Sequence, residues 1–269
     1  MRGGGADRFR LSFWVALSVA VLLAVAVAVD RLPVVAARLV PNFIQSRLGR
    51  VGEDALMAAH HRCTVPAGQQ SLDRLTSRLA QAAGLNSAPG AQAMPIAVIV
   101  IDDPRINAVA LPGNHIVVMR GLIDRVEDSN EFAGVLAHET AHLAHHDPMQ
   151  ALLRRIGLRM VVTTLGFGNG IGDVAPLAGA LLNLSYSRQM EDRADAAALT
   201  YLTQAGLRSD GLARFFAMLE KREDKSVIGF LADHPPTEQR RLEHPGSAVG
   251  ASAMTVEEWK ALQGICSST

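Results

Sequence analysis

The stretch GVLAHETAHLAHHD, residues 134–147, sets four histidines, a glutamate and an aspartate within fourteen positions. Read as a helix, it puts His138 and His142 at i and i+4, one turn apart on one face. Two imidazoles stacked in this way converge on a single ion at about 2.0–2.1 Å each, the distance zinc takes to a histidine nitrogen. Glu139 lies about 100° further round the helix, where its carboxylate reaches a water on that ion. HETAH is therefore an H-E-x-x-H motif, and a fold that uses it has to close around one face of this helix. Local signals agree with a helix. Asp128 is a candidate cap with Glu131 three positions on, Phe132, Val135, Leu136 and Leu143 form an apolar stripe, and Pro148 marks the end. The alternative, histidines on a solvated helix face, has to be weighed against what else the chain offers.

A third ligand is needed, and His145 does not supply it. It lies seven residues beyond His138, about 10 Å of helical rise. The metzincin pattern breaks the helix with Gly at this position and places His where this chain has Pro148; neither is present. His145 and His146 read as end-of-helix histidines beside the C-terminal dipole. The candidate is Glu191, in YSRQMEDRADAAAL, residues 186–199. By itself that segment is a salt-bridged surface helix. Following an H-E-x-x-H helix, Glu191 completes a His₂Glu set with one open coordination position. Asp195, one turn later, is then positioned to accept a hydrogen bond from the second ring nitrogen of a ligand.

The chain has 269 residues, room for one substantial domain with an appendage. Its 26 basic and 26 acidic residues cancel, so nothing in the charge recommends nucleic acid as a partner. Hydrophobic residues make up 49% of the chain and are concentrated near its start. Residues 11–29, LSFWVALSVAVLLAVAVAV, carry no charge, and as a helix they would run roughly 28 Å, near the hydrocarbon thickness of a bilayer. Arg2, Arg8 and Arg10 precede them against Asp7 alone, a bias that keeps residues 1–10 in the cytoplasm and exports the rest. Ala24, Ala26 and Ala28 leave open a cleaved signal peptide, which would release the remainder to the periplasm. Cys63 and Cys266 suit an exported protein, either as a bridge between the ends of the globular part or as two unrelated thiols.

Beyond the anchor, residues 30–50 read as a linker, with Pro33, Pro41 and Gly49, and residues 51–269 as the domain. Leu72, Leu75, Leu79 and Ala82 predict an amphipathic helix over 71–85. The runs Ile96–Ile101, Ile106–Leu111 and His115–Met119 predict strands of a small antiparallel sheet, the last two joined by a turn at Pro112, Gly113 and Asn114. His60 and His61 fall in a presumed helix, and His115 opens a strand. Residues 160–187 are apolar but interrupted, and short helices on the domain and a re-entrant membrane segment both remain open. The expected class is α+β, mainly α.

NAVALPGNHIVV, HETAH, YSRQMEDRAD and HPPTEQR occur in the order found in the HtpX/CAAX-prenyl-protease family of membrane-associated gluzincins, and residues 95–243 resemble that family. Among its members the chain looks most like the single-anchor, exported proteases related to BepA and the Oma type. The resemblance implies a zincin-type domain holding one zinc per chain through His138, His142 and Glu191, with Glu139 as general base and Asp195 behind His138. It implies for His234 either oxyanion stabilisation or capping of the zinc, and for Arg240 a place near the site. Asn107, Ala108, Val109 and Ala110 resemble the edge strand that pairs with extended polypeptide substrate. The implied setting is the bacterial cell membrane, with the domain outside the cytoplasm and membrane or envelope proteins as substrates under quality control. A chaperone-like assembly factor with a rarely used zinc site is the competing function. Nothing in the chain specifies an oligomeric state.

Overall fold

A computed structural model describes residues 4–85, 95–164, 175–220, 234, 240 and 243–267. Parts of three expectations lie outside these residues: the first residues of the cytoplasmic tail, positions 165–174 of the interrupted apolar interval, and 235–239 of HPPTEQR. The chain divides into two compact units, Met1–Val40 and Pro41–Thr269.

The first unit is one helix, α1 (Gly4–Leu39), which continues through Pro33. Phe13, Trp14, Leu17, Val21 and Leu22 stand exposed along it. Among the described residues no helix is long and apolar enough to cross a membrane.

The second unit opens with α2 (Asn42–Met57), so the expected linker over 30–50 is helical except around Val40 and Pro41. Gly49, read as a linker residue, has a packing role instead. A Cβ there would run into the carbonyl oxygen of Pro112 and the ring of His115, so the missing side chain lets α2 lie against the turn before β4 (His115–Met119). Gly49→Val should cost about 1–3 kcal/mol through overpacking, read as a fall in the thermal midpoint. No change would mean that α2 yields freely. The turn preceding His60 and His61 ends α2, so neither is helical; His60 instead reaches Asp103 at 3.2 Å.

β1 (Arg62–Cys63), α3 (Pro66–Ala82), β2 (Ala97–Ile101) and β3 (Ala108–Leu111) lead into β4. α3 starts five residues before the predicted Ser71, with Pro66 in its first turn, where a missing N–H costs nothing. The β3–β4 hairpin forms as the sequence predicts, with Leu111 paired to His115 across Pro112, Gly113 and Asn114. Gly113 and Asn114 take φ of 75° and 63°, conformations these two residues tolerate best.

The sheet is mixed, however, not antiparallel. Its order is β1-β2-β4-β3, with β2 and β4 parallel and β3 antiparallel on the edge. The reason lies in residues 102–107. This segment is pinned by buried Asp103, which accepts the amide and guanidinium of Arg105 and whose carbonyl takes the Gly121 amide. The chain is thereby carried past β2, and β4 returns into the gap. Both faces of the sheet are covered. Val98, Val100, Ile116 and Val118 face the main core with α3 and the central helix, while Ile99, Ile101, Val117 and Met119 face a smaller cluster with Leu56 of α2. Period-two alternation inside uninterrupted apolar runs is what a sheet covered on both sides requires.

α4 (Arg120–Arg125) leads to α5 (Ser129–Ala144), the central helix, followed by α6 (Asp147–Thr164), α7 (Ala175–Leu181), α8 (Arg188–Gln204), α9 (Gly211–Glu220) and α10 (Val256–Gln263). α5 lies between β3 on one side and α8 and α9 on the other, and Ser129–Leu143 are buried at every position. The predicted stripe is therefore only part of its buried surface. Small residues Ala133, Gly134, Ala137 and Ala141 fill the rest. α10 packs on α3, and the sulfurs of Cys63 and Cys266 are bonded, with Cα atoms 4.5 Å apart, tying β1 to the segment after α10.

Candidate metal centre

α5 begins where the sequence predicts. The Asp128 carboxylate accepts the amides of Asn130 and Glu131 at 2.8 and 3.0 Å, and Glu131 reaches back to the Glu127 amide at 2.9 Å. Its end differs. The helix stops at Ala144, and Pro148 belongs to the first turn of α6. Between them His146 adopts a left-handed φ of 56°, so the chain reverses at His145 and His146.

α5 presents His138, Glu139 and His142, and α8 presents Glu191 and Asp195. The Nε2 atoms of His138 and His142 face each other at 3.0 Å. Glu191 closes a third side, its carboxylate oxygens 3.5 Å from His138 Nε2 and 3.6 Å from His142 Nε2. His234 joins them, with Nδ1 3.3 Å from His138 Nε2 and 3.1 Å from Glu191. Its Nε2 lies 3.4 Å from Glu139. None of these side chains is more than 1% exposed. His138, His142, Glu191 and His234 offer ligand atoms within 4.8 Å of one another and could together hold a metal ion.

Whether a cation fits can be tested on proton positions. His138 Nδ1 lies 2.9 Å from Asp195 and His142 Nδ1 2.9 Å from Asp147. A carboxylate only accepts, so each Nδ1 carries its ring's proton. With both rings neutral, the two Nε2 atoms would present lone pairs to each other in a dry interior beside the Glu191 carboxylate. Such an arrangement lacks a positive charge at its centre, and a metal ion supplies one.

The electrostatics favour positive charge at the same point. Burial opposes charge on His138, yet hydrogen bonds to Asp195 and Glu191 outweigh it and raise the pKa to about 10. Burial and the neighbouring His138 push His142 well below the ordinary range. The His138 ring thus holds a second proton, on the Nε2 that faces His142, while the His142 ring stays neutral, which places one positive charge between them where a metal ion would sit. Burial raises Glu191, but His234 and His138 overcome it and hold it far below the usual carboxylate range. Burial also raises Glu139, which has much less compensation.

Around this core Arg240 donates to Asp195 at 2.6 and 2.8 Å and pairs with Glu191 at 2.8 Å, its guanidinium 4.8 Å from the Phe216 ring centre. Glu139 is oriented by β3, since its Oε2 accepts the Ala110 amide at 2.8 Å. Asn107 Oδ1 accepts the Ala108 amide at 2.9 Å. The edge strand expected to receive substrate therefore has two of its amides engaged by the protein's own side chains. His115 is bound to Glu53 at 2.8 Å; it, Cys63 and Cys266 lie outside the metal cluster, as do His145 and His146.

Three neighbours of the site were not anticipated. Tyr186 stacks on His142 with ring centres 4.1 Å apart and reaches the Ala110 carbonyl at 3.4 Å. Asp147 and Arg193 stand behind His142. Tyr186 opens the YSRQMEDRAD motif, so its position was the available signal. For Asp147 the signal was a lone acid five residues after the second histidine.

A family model, Peptidase family M48, matches residues 66–244, a range that contains every member of this cluster. The chain is 28% identical over 144 residues to the mitochondrial metalloendopeptidase OMA1 of Arabidopsis thaliana, covering 53% of this chain and 30% of that protein. It is 26% identical over 141 residues to the metalloprotease YcaL of Escherichia coli (50% and 55%). To a protease HtpX homolog of Acidiphilium cryptum it is 29% identical over 227 residues (66% and 76%). It thus spans about a third of the OMA1 protein and about half of YcaL.

Proposed function

The chain belongs to peptidase family M48, and from that premise we propose that it is a zinc-dependent endopeptidase acting on membrane or envelope polypeptides. The observation that carries this reading is the pair of Nε2 atoms facing each other at 3.0 Å, with Glu191 on the third side. His138, His142 and Glu191 are assigned as ligands of one zinc per chain. When bound, zinc is a Lewis acid that lowers the pKa of water and polarises a peptide carbonyl.

Glu139 is the general base. It takes a proton from the attacking water and delivers it to the leaving amine. The Ala110 amide holds its Oε2, so the same rigid strand that would align a substrate backbone also aims the base. Asp195 keeps the His138 proton on Nδ1, and Arg240 keeps Asp195 ionised. His234 fills the position a substrate carbonyl needs and has to swing away for entry. Once displaced, its N–H can donate to the oxyanion. Complete burial of the cluster also favours a second reading, an assembly factor whose zinc site is latent. In that case Glu139→Gln would still support function in cells.

The domain is proposed to run from Pro41, since residues 41–269 form one compact unit. Residues 11–29 are proposed as its membrane anchor, on their lack of charge and on the arginines before them. The domain then lies on the extracytoplasmic side of a bacterial cell membrane, where the Cys63–Cys266 bond would persist. Protein quality control there is the proposed role.

The test is digestion of unfolded casein by the zinc-loaded protein, with and without a chelator. Cleavage that the chelator removes and added zinc restores supports the endopeptidase. Zinc bound without cleavage, in the parent and in His234→Ala alike, overturns it in favour of the second reading.

A further inference from the structure

We propose that Asp147 and Arg193 form a second ligand-positioning relay, directed at His142 as Asp195 and Arg240 are directed at His138. The inference rests on the reading of the cluster as a metal centre. The two arrangements match group for group. In each, an oxygen of a fully buried aspartate lies 2.9 Å from a histidine Nδ1, and its second oxygen is held by an arginine at 2.6 Å. They differ in exposure. Arg240 is buried, whereas the Arg193 side chain is 44% exposed.

The geometry behind Asp147 is not a local helical one. Five residues on an unbroken helix would turn Asp147 about 140° away from His142. The break after Ala144, with His146 in the left-handed region, brings it back to the His142 ring. Arg193 then reaches it from α8, between Glu191 and Asp195. One helix accordingly acts on all three ligands: through Glu191 itself, through Asp195 on His138, and through Arg193 and Asp147 on His142.

A carboxylate accepting from Nδ1 fixes the tautomer, orients the ring and makes Nε2 a stronger donor to metal. An aspartate in the first turn of α6 has a simpler alternative use, favourable interaction with the helix dipole. That role would move folding stability but not metal affinity.

The experiment measures zinc affinity of the full chain by competition with a chromogenic chelator, and the visible spectrum of the cobalt-substituted protein. Asp147→Ala is expected to weaken binding about 10–100-fold and to shift the cobalt bands. Asp147→Asn, which still accepts from Nδ1, should lose less. Arg193→Ala, at an exposed position, should weaken binding slightly, and combined with Asp147→Ala it should add nothing, because it acts through that residue. Zinc affinity and cobalt bands unchanged in Asp147→Ala would overturn the relay, as would additive losses in the double variant. Should Asp147→Ala not fold, Asp147→Asn and Arg193→Ala decide: parental affinity in both rejects the relay. A parent protein that binds no zinc would instead defeat the metal-centre reading, so the two failures are distinguishable.

Discussion

Glu139→Gln is expected to retain zinc at the parental stoichiometry while losing peptide hydrolysis by about 10²–10⁴-fold, the range of general acid–base catalysis. The substitution is nearly isosteric. A glutamine oxygen can still accept the Ala110 amide that Glu139 Oε2 accepts at 2.8 Å, so strand β3 and helix α5 keep their contact. The variant removes a charge that the site does not stabilise well, since burial raises the Glu139 pKa more than His234, His138 and the Ala110 amide lower it. Folding stability should therefore hold or rise slightly, and the lost turnover can be assigned to the missing base. Metal content and casein digestion, measured on the same preparation, check both halves. Equal turnover in the two proteins would remove Glu139 from the mechanism.

Arg240→Met carries the largest expected effect on stability. Arg240 is 6% exposed and is shared by two carboxylates, Asp195 at 2.6 and 2.8 Å and Glu191 at 2.8 Å. Removing one partner of a buried ion pair leaves uncompensated charge in a medium that solvates it poorly, at a cost of about 3–5 kcal/mol. For a domain of this size that corresponds to roughly 10 °C in Tm. The metal-free protein should suffer most, because a metal ion held by the cluster would give Glu191 a second counter-charge. Adding Asp195→Asn should recover part of the loss, since the pair is coupled. Thermal unfolding with and without metal measures all of this. A loss below about 1 kcal/mol, ordinary for a surface ion pair, would mean that solvent reaches the network.

Metal chemistry was legible because it depends on spacing within single helices. His138 and His142 share a face in any α-helix, and so do Glu191 and Asp195. Their meeting could be inferred because an H-E-x-x-H helix lacks a third ligand and Glu191 offers a carboxylate that could be one. The β3–β4 hairpin was legible for a similar reason, since Gly113 and Asn114 carry a turn that three residues decide. Pro33 and Gly49 were read as linker residues because they were weighed by local propensity. One sits inside a long helix, and the other is selected by a hairpin 63 positions further on in the chain.

By itself, then, the sequence determined which residues share a helix face, His138 with His142 and Glu191 with Asp195, and that a metal cluster of His138, His142 and Glu191 would require their two helices to face one another. The tertiary structure alone decided the parallel pairing of β2 with β4, the burial of α5 on every side, the engagement of Ala110 by Glu139, and the return of Asp147 to His142. Each of these depends on segments distant in the chain, or on a break that redirects it. Spacing along one element cannot encode such contacts, because they are selected by the summed packing of the whole domain.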